Sequence, residues 1–395
     1  MTTTTKPDIP EDNLPRFAAD GFTDHTFTSP TSGAQLSVRV WPAIRSDPSS
    51  PTKPAPFVSC THGGGFLAGH HYATMTWTEV GFRRQKGYHL VAHNYRLGPQ
   101  VSIKEQIQDC LDCVAWSREN LPRILGEEQV DVDRYVLAGE SAGGFFVTMM
   151  ATKLIEAFGK GSGVPPPRAV VDIYGVVNWF TMPVSLDVHP EQIEGTEWKG
   201  RWTEKELRTY LGDRDPENIL LDSFFWDEDL LVTEEDLKKR LKTTELKYTE
   251  RRLLQGELHR WRSERGTLED INRGVFHSEK WGVEQGTKEY ERMAFEYKKS
   301  VSAELLAVEA AIRGDKYPPT AFLHGSGDAA VPIDQSESFA RTLRGLGVPV
   351  VECYEEGEPH VFDRKYTVSG QFFFLIALSS VYMCCWRLLT FMSGP

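Results

Sequence analysis

Cysteine is scarce in this chain, with six among 395 residues. Their spacing shows no disulfide framework, so the sequence predicts reduced thiols and a cytoplasmic setting. Cys110 and Cys113 form a C-x-x-C pair inside a helical pattern. Because no second ligand pair lies nearby, we interpret them as structural and not as a redox or metal site. No ligand cluster with zinc-like spacing is present, so neither a metal nor an organic cofactor is expected.

Positive charge is also in short supply. The 44 Lys and Arg are outnumbered by 56 Asp and Glu, which gives a formal net charge of −12. Binding to DNA or RNA depends on Lys and Arg that neutralise phosphates, so nucleic acid is not expected as a partner. Residues 1–13 are polar and lack the apolar core of a signal peptide.

Short runs of β-branched and aromatic residues alternate with amphipathic helical patterns along most of the chain. This alternation predicts βαβ units, and therefore an α/β fold with a mostly parallel central sheet flanked by helices. In one of the helices, Ile103, Ile107 and Val114 lie on a single apolar face. The predicted strands are 35–40, 57–60, 89–93, 134–138, 169–174, 320–324 and 348–353.

Residues 188–300 break the alternation with a charged, helix-leaning stretch that contains no convincing buried strand. Leu254, Leu258 and Trp261 form one apolar face in it, and Leu237 and Leu241 form another. A large insertion between two sheet strands favours a helical cap or lid, and the alternative is a solvated insertion without a role. The predicted domains are a core in two parts (1–187 and 301–365), the cap (188–300) and an apolar tail (366–395).

The segment Gly139-Glu140-Ser141-Ala142-Gly143 matches the G-x-S-x-G pattern of a nucleophile elbow. A predicted strand precedes it and a predicted helix follows it, which is the context that this turn requires. The flanking glycines are needed because a Cβ there would collide with neighbouring chain. Ser141 would then lie at a helix N-terminus, where free N–H groups favour developing negative charge. Since the pattern is common by chance, it needs support from elsewhere in the chain.

That support comes from His62-Gly63-Gly64-Gly65, which follows the predicted strand 57–60. Consecutive glycines let backbone N–H groups approach a substrate oxygen closely, as in an oxyanion hole. The predicted donors are Gly63, Gly64, Gly65 and Ala142. A glycine run alone would equally suit a tight turn after a strand, but its occurrence together with the elbow favours the oxyanion hole.

The two motifs together resemble the hormone-sensitive-lipase-like branch of the α/β hydrolases. The segment Asn94-Tyr95-Arg96-Leu97-Gly98-Pro99 is similar to the D-Y-R-L-A-P segment of that branch, with Asn and Gly in place of Asp and Ala. The resemblance covers residues 57–174 and 318–363. It implies an α/β-hydrolase fold with a catalytic triad in the chain order Ser, acid, His. Asp328 matches the acid and His360 the base, and both follow predicted strands.

The resemblance implies a serine hydrolase that cleaves a small-molecule carboxylic ester, with Ser141, His360 and Asp328 as the triad. The same site would serve a thioesterase, acyltransferase, lactonase or amidase, because cap and pocket select the leaving group and acceptor. A non-enzymatic binding module is a further alternative, since the branch also resembles hormone receptors that have lost a triad member. All three triad positions are filled here, which favours the enzyme.

No charged residue occurs between positions 366 and 386, close to the C-terminus. This stretch is barely long enough to cross a bilayer, which needs about 20 apolar residues. Arg364 and Lys365 just before it would suit a membrane anchor on a cytosol-facing domain. The alternatives are a helix packed on the sheet and a translated non-coding segment without a folded role. Membrane fractionation with and without residues 366–395 distinguishes the anchor from the other two.

Overall fold

The computed structural model describes residues 18–44, 53–75, 78–182, 200–223, 234–244, 246–247, 249–265, 282–284 and 286–365. Within these ranges, eight strands form one sheet. They are β1 (Thr23–Thr28), β2 (Gln35–Trp41), β3 (Ala55–Thr61), β4 (His89–His93), β5 (Val130–Glu140), β6 (Ala169–Ile173), β7 (Thr320–Gly325) and β8 (Val350–Glu355). Their order across the sheet is β1-β2-β4-β3-β5-β6-β7-β8.

The six strands from β4 to β8 in the sheet order pair in parallel. The antiparallel pairs are β1 with β2 and β2 with β4, at one edge of the sheet. Every residue of β3, β6 and β7 is buried, as expected for parallel strands covered on both faces. The predicted α/β fold with a mostly parallel sheet is confirmed. The sequence does not predict β1, because its mostly exposed residues TDHTFT contain no apolar run.

Helices cover the sheet. They are α1 (Ile103–Leu125), α2 (Ala142–Gly159), α3 (Glu204–Leu211), α4 (Glu234–Leu241), α5 (Glu250–Arg265), α6 (Lys288–Ser300), α7 (Ala303–Ile312) and α8 (Asp334–Gly345). A capping box begins α1, in which Ser102 and Glu105 each accept the other's backbone N–H. The predicted face of α1 is buried at Ile103, Ile107 and Val114. Packing of this face against the sheet stabilises the helix.

The described part of the insertion contains α3 to α6 and, among its described residues, no strand of the sheet. Leu258 and Trp261 of α5 are fully buried and belong to the same apolar cluster as the sheet residue Phe57. On the other predicted face, Leu237 and Leu241 are buried against Tyr72. The insertion therefore packs on the sheet domain through both predicted faces, whereas residues 188–199, 224–233 and 266–281 lie outside the described residues.

The cysteines differ in state. Cys60, Cys110 and Cys113 are free and buried, and burial raises the pKa of the Cys60 thiol to about 12. Burial likewise raises the pKa of Cys110 and Cys113 well above the usual range, as expected for a structural pair. Cys353, however, is disulfide-bonded, so the prediction of reduced thiols is wrong at this position.

The apolar tail, residues 366–395, for which a membrane anchor is one of three alternatives, lies outside the described residues. In the part of the chain that the structure describes, no helix has the length and apolar character needed to span a bilayer.

Arg39 of β2 is a fully buried charge that joins the sheet to the insertion. Its guanidinium donates to the backbone carbonyls of Tyr72 at 2.7 Å and Leu241 at 2.6 Å. It also pairs with Asp24 at 2.7 Å and lies 3.6 Å from the centre of the Phe22 ring. A buried cation is tolerated only when it is paired and hydrogen-bonded in this way.

We expect Arg39→Met to lower the free energy of unfolding by about 3 kcal/mol, because two backbone carbonyls lose a charged donor. Urea unfolding followed by circular dichroism measures the change. The control is Lys160→Met, which removes an exposed pair with Glu156 and should change the stability by less than about 0.5 kcal/mol. Equal effects of the two substitutions would show that Arg39 does not anchor the insertion.

Candidate active site

Ser141 occupies the sharp turn between β5 and α2. Its backbone has φ 54° and ψ −117°, in a region that non-glycine residues rarely adopt. The Ser141 N–H donates to the carbonyl of Ile173 in β6 at 2.8 Å, and α2 begins at the next residue. The side chain is partly exposed. The turn therefore holds a reachable hydroxyl at the N-terminus of a helix.

The two glycines of the elbow are required by close backbone packing. A Cβ on Gly139 would lie 2.2 Å from the carbonyl oxygen of Gly143. A Cβ on Gly143 would lie 2.0 Å from the carbonyl oxygen of Thr61, at the end of β3. Both distances are far below van der Waals contact, so no side chain fits at either position. This is the steric reason for small residues that the sequence predicts.

The structure brings His360 and Asp328 together with Ser141 at the carboxyl ends of the parallel strands. His360 Nε2 lies 3.0 Å from Ser141 Oγ, and His360 Nδ1 lies 2.6 Å from Asp328 Oδ2. Asp328 follows β7, and His360 follows the neighbouring strand β8. With Nδ1–H donating to the carboxylate, the neutral imidazole presents the lone pair of Nε2 to the hydroxyl of Ser141.

Four donors surround the carboxylate of Asp328. Its Oδ1 accepts the backbone N–H groups of Ala330 and Val331, each at 2.8 Å. Its Oδ2 faces His360 Nδ1 and also His324 Nε2, at 3.3 Å. Burial acts to raise the pKa of Asp328, but hydrogen bonds from His324 and His360 outweigh it and hold the pKa below its usual range. Asp328 is therefore ionised at neutral pH.

His324, in β7, contributes to the site although the sequence assigns it no role. Its Nε2 lies 2.9 Å from the carbonyl oxygen of Val331, and its Nδ1 lies 2.8 Å from Ser336 Oγ. A carbonyl only accepts, so His324 Nε2 carries a proton and donates it. The motif that contains Asp328 also contains His324, but spacing along the chain does not reveal that the two side chains meet.

The glycine run turns tightly after β3. Gly64 has φ 118° and Gly65 has φ 55°. The carbonyl oxygen of Gly64 accepts the N–H groups of Leu67 at 3.0 Å and Ala68 at 2.9 Å. A path with successive positive φ values is one that glycine follows without a steric penalty. This is the conformation of a loop whose N–H groups can converge on a substrate oxygen.

Gly63, one of the predicted donors of the oxyanion hole, lies directly beside the elbow. Its N–H points to Glu140 Oε1 at 3.5 Å, and a Cβ on it would lie 3.2 Å from the Cβ of Ser141. The Gly63 N–H therefore already has an acceptor. The absence of a side chain on Gly63 allows the loop to approach the elbow.

The segment 94–99, which is part of the family resemblance, supports the glycine run. The ring of Tyr95 stacks on His62, with centroids 4.4 Å apart, and its hydroxyl donates to the carbonyl of His62 at 3.1 Å. The Gly98 N–H donates to the carbonyl of Phe66 at 2.8 Å. The loop is thus held from the core side by a segment that follows β4.

The insertion holds the same loop from the other side. Gln255 of α5 donates through Nε2 to the carbonyl of Leu67 at 2.6 Å and to that of Gly98 at 2.5 Å. Two backbone hydrogen bonds, at 2.9 and 3.0 Å, join Gly69 to Ser223. The glycine run is therefore anchored to both the sheet domain and the insertion.

A small pocket beside the glycine run has four buried histidines in its lining, His62, His70, His71 and His93. Burial is the main cause that lowers the pKa of His71 to about 3 and of His93 to about 4, so both are neutral at physiological pH. His70 is as buried as His71. Among the described residues, no group of His, Cys, Asp and Glu is arranged to hold a metal ion.

Asp172 of β6 is a second buried carboxyl near the elbow. Its Oδ1 accepts the Gly175 N–H at 2.9 Å and would lie 2.4 Å from a Cβ on Gly144. Burial raises the pKa of Asp172 to about 7, although the charge of His324 and the Gly175 N–H act in the opposite direction. Because the unfolded pKa is about 3.9, the folded state binds the proton more tightly, and Asp172 lowers stability as pH rises from about 4 to about 7.

We expect Asp172→Asn to match the wild type in stability near pH 4 and to exceed it at pH 8. The amide keeps an acceptor for the Gly175 N–H and carries no charge, so the penalty of burying a carboxylate disappears. Urea unfolding at the two pH values measures the difference between variant and wild type. A difference that does not grow with pH would contradict the prediction.

Comparisons of the sequence with known proteins give partial matches. Residues 46–214 match a family model described as BD-FAE. The non-reducing polyketide synthase ascC of Acremonium egyptiacum is 31% identical over 132 residues, which are 33% of this chain and 6% of that protein. Lipase 2 of Moraxella sp. (strain TA144) is 33% identical over 99 residues, which are 24% of this chain and 21% of that protein. The matched segment is thus a small part of these relatives.

Similar solved structures cover nearly the whole chain. An alpha/beta hydrolase superfamily protein from Enterococcus faecalis has a TM-score of 0.53 at 15% identity, covering 94% of this chain and 98% of that one. An esterase from Pyrobaculum calidifontis has a TM-score of 0.51 at 17% identity, with 96% and 87% covered. Esterase LipW from Mycobacterium marinum has 0.52 at 17% identity, with 95% and 82% covered. The chain has the α/β-hydrolase fold. Within it, residues 46–214 are similar to the BD-FAE family model.

Proposed function

We propose that this protein is a serine hydrolase that cleaves a carboxylic ester with Ser141, His360 and Asp328. One observation carries the proposal: Ser141 Oγ, the His360 ring and Asp328 Oδ2 form a continuous row, with distances of 3.0 and 2.6 Å. A nucleophile, a base and a group that orients the base within hydrogen-bonding reach are what activates a hydroxyl. The partly exposed position of Ser141 in a strained turn supports the same role.

In the proposed reaction, the hydroxyl of Ser141 attacks the ester carbonyl while His360 takes its proton. Asp328 keeps the imidazole in the required tautomer and stabilises the imidazolium. The N–H groups of residues 64–65 and of Ala142 stabilise the oxyanion, and one such donor contributes about 10²–10³ in kcat. His360 then protonates the departing alcohol and afterwards activates the water that releases the acyl group.

A second candidate is an acyl-thioesterase that uses the same three side chains. Two relatives named non-reducing polyketide synthases, each matched over about a third of the chain, favour it because polyketides are made from acyl units. The match to a protein named Lipase 2 favours an oxygen ester. Both substrates pass through the same acyl-enzyme, so the leaving group distinguishes the two candidates.

We assign the role of a cap to the insertion, residues 188–300, because Gln255 and Ser223 bond to the loop that follows the glycine run. In this position the insertion would influence which substrates reach Ser141. A small-molecule ester as partner stays a prediction. A cytoplasmic location, with membrane attachment through residues 366–395 as the alternative, likewise stays a prediction.

We expect a fluorophosphonate probe to label the wild type at Ser141 and not to label Ser141→Ala, because the probe reacts with a base-activated serine. Asp328→Asn should lower kcat by about 10⁴-fold through loss of the correct imidazole tautomer. Gel fluorescence and mass spectrometry of the labelled peptide measure the first effect. Ser162→Ala, at an exposed loop serine, is the control and should label normally. Absence of labelling in the folded wild type would favour a binding module.

The leaving group is tested with p-nitrophenyl esters of acetate, butyrate and octanoate beside the matching acyl-thioesters and anilides. For an ester hydrolase we expect kcat/KM to be highest for the oxygen esters and lowest for the anilides, which have the poorest leaving group. A preference for thioesters by about tenfold or more in kcat/KM would select the second candidate. Ser141→Ala, assayed with every substrate, corrects for spontaneous hydrolysis.

A further inference from the structure

Tyr174 has an unusual backbone conformation next to the elbow. It follows β6 with φ 43°, a value that is strained for a bulky side chain. Its N–H donates to the carbonyl of Leu323 in β7 at 2.8 Å, and the preceding residue, Ile173, accepts the N–H of Ser141. Strained residues of this kind persist only where the surroundings determine the conformation, and they cluster at functional sites.

The hydroxyl of Tyr174 joins the chain around the base to the chain around the nucleophile. It donates to Asp363 Oδ1 at 2.5 Å and lies 3.5 Å from Glu140 Oε2. Asp363 is buried and comes three residues after His360, whereas Glu140 is buried and directly precedes Ser141. The Tyr174 hydroxyl therefore contacts both the segment that carries Ser141 and the segment that carries His360. The separation of these two segments determines the distance from Ser141 to His360.

The ring of Tyr174 also touches the base. Its centroid lies 4.6 Å from that of the His360 imidazole, with 60° between the planes. The ring is fully buried. It therefore packs against one side of the His360 imidazole and restricts its movement. An aromatic ring at this distance also attracts a cation, and His360 becomes one during the proposed reaction.

We propose that Tyr174 is a positioning residue, which holds His360 against Ser141 through its ring and through the hydrogen bond from its hydroxyl to Asp363. This role rests on the proposed function of the same site. In this proposal Tyr174 acts through His360 and not on the substrate. Its effect is on the geometry of proton transfer, so it should appear in kcat and leave substrate binding nearly unchanged.

The first test is Tyr174→Phe, which keeps the ring and removes the hydroxyl. With p-nitrophenyl acetate, we expect kcat to fall by about 10- to 100-fold, since small misplacements of catalytic groups have effects of this size. KM should change by less than about threefold. The control is Tyr135→Phe, at a buried tyrosine of β5 whose hydroxyl donates to Pro165. It loses a comparable hydrogen bond away from the site and should keep its kcat.

The second test places the effect on the hydrogen bond to Asp363. Asp363→Ala removes the acceptor and should lower kcat as Tyr174→Phe does, whereas Asp363→Asn keeps an acceptor oxygen and should restore most of the loss. The double variant Tyr174→Phe/Asp363→Ala should be no slower than the slower single variant, because both changes break the same interaction. Thermal unfolding of every variant shows whether it is folded at the assay temperature.

The outcomes separate this proposal from the function on which it rests. If the wild type is neither labelled by the fluorophosphonate nor active, the proposed function fails and the role of Tyr174 fails with it. If the wild type is active through Ser141 but Tyr174→Phe keeps its kcat, only the positioning role is overturned. Additive losses in the double variant, or no recovery in Asp363→Asn, would overturn the link through Asp363.

Discussion

The contact between Gly143 and the carbonyl of Thr61 leaves no room for a side chain between the start of α2 and the end of β3. Through this contact, the elbow and the glycine run, which are distant in the chain, share one backbone interface. Because the backbone of β3 packs directly against this turn, the turn cannot change its conformation freely. Ser141 therefore keeps a positive φ, which serine otherwise avoids. The position of the hydroxyl therefore follows from backbone packing more than from any bond made by the side chain itself.

The number of hydrogen-bond donors around each buried carboxyl group at the site influences whether that group is ionised. Asp328 has four donors and its pKa lies below the usual range, whereas the buried Asp172 has the Gly175 N–H at Oδ1 and a pKa of about 7. Both follow from the same balance between burial and hydrogen bonding. His324 adds a donor to Asp328, because its Nε2 lies 3.3 Å from Oδ2 of that carboxylate. The negative charge of this pair of carboxyl groups therefore lies on Asp328, next to His360.

The insertion is part of the site's support, although its sequence is unlike that of the sheet domain. Gln255 reaches two carbonyls near the glycine run, and Arg39 donates to the carbonyl of Leu241 at the end of α4. Leu258 and Trp261 extend the core of the sheet domain into the insertion. Substitutions in the insertion can therefore act on the glycine run through packing and hydrogen bonds.

The sequence alone was sufficient for the α/β architecture and for singling out Ser141, Asp328 and His360, whose side chains lie within hydrogen-bonding distance of one another in a row. Seven of the eight strands overlap predicted apolar runs, because parallel strands buried on both faces require continuous hydrophobic segments. The elbow and glycine run were visible because each is a local turn whose backbone conformation needs particular residues at adjacent positions. The edge strand β1 was missed, because it exposes much of its surface and needs no such run.

Only the tertiary structure decided which side chains surround those three residues. Tyr174 and His324 stand at the ends of β6 and β7, where parallel register and the loops beyond the strands bring them to His360 and Asp328. The sequence around Tyr174 or His324 does not predict which side chain each of them contacts. A turn is determined by the conformations of a few consecutive residues, and the sequence shows it directly. A contact between strand ends depends on strand order, register and long-range packing, which exist only once the whole sheet has formed.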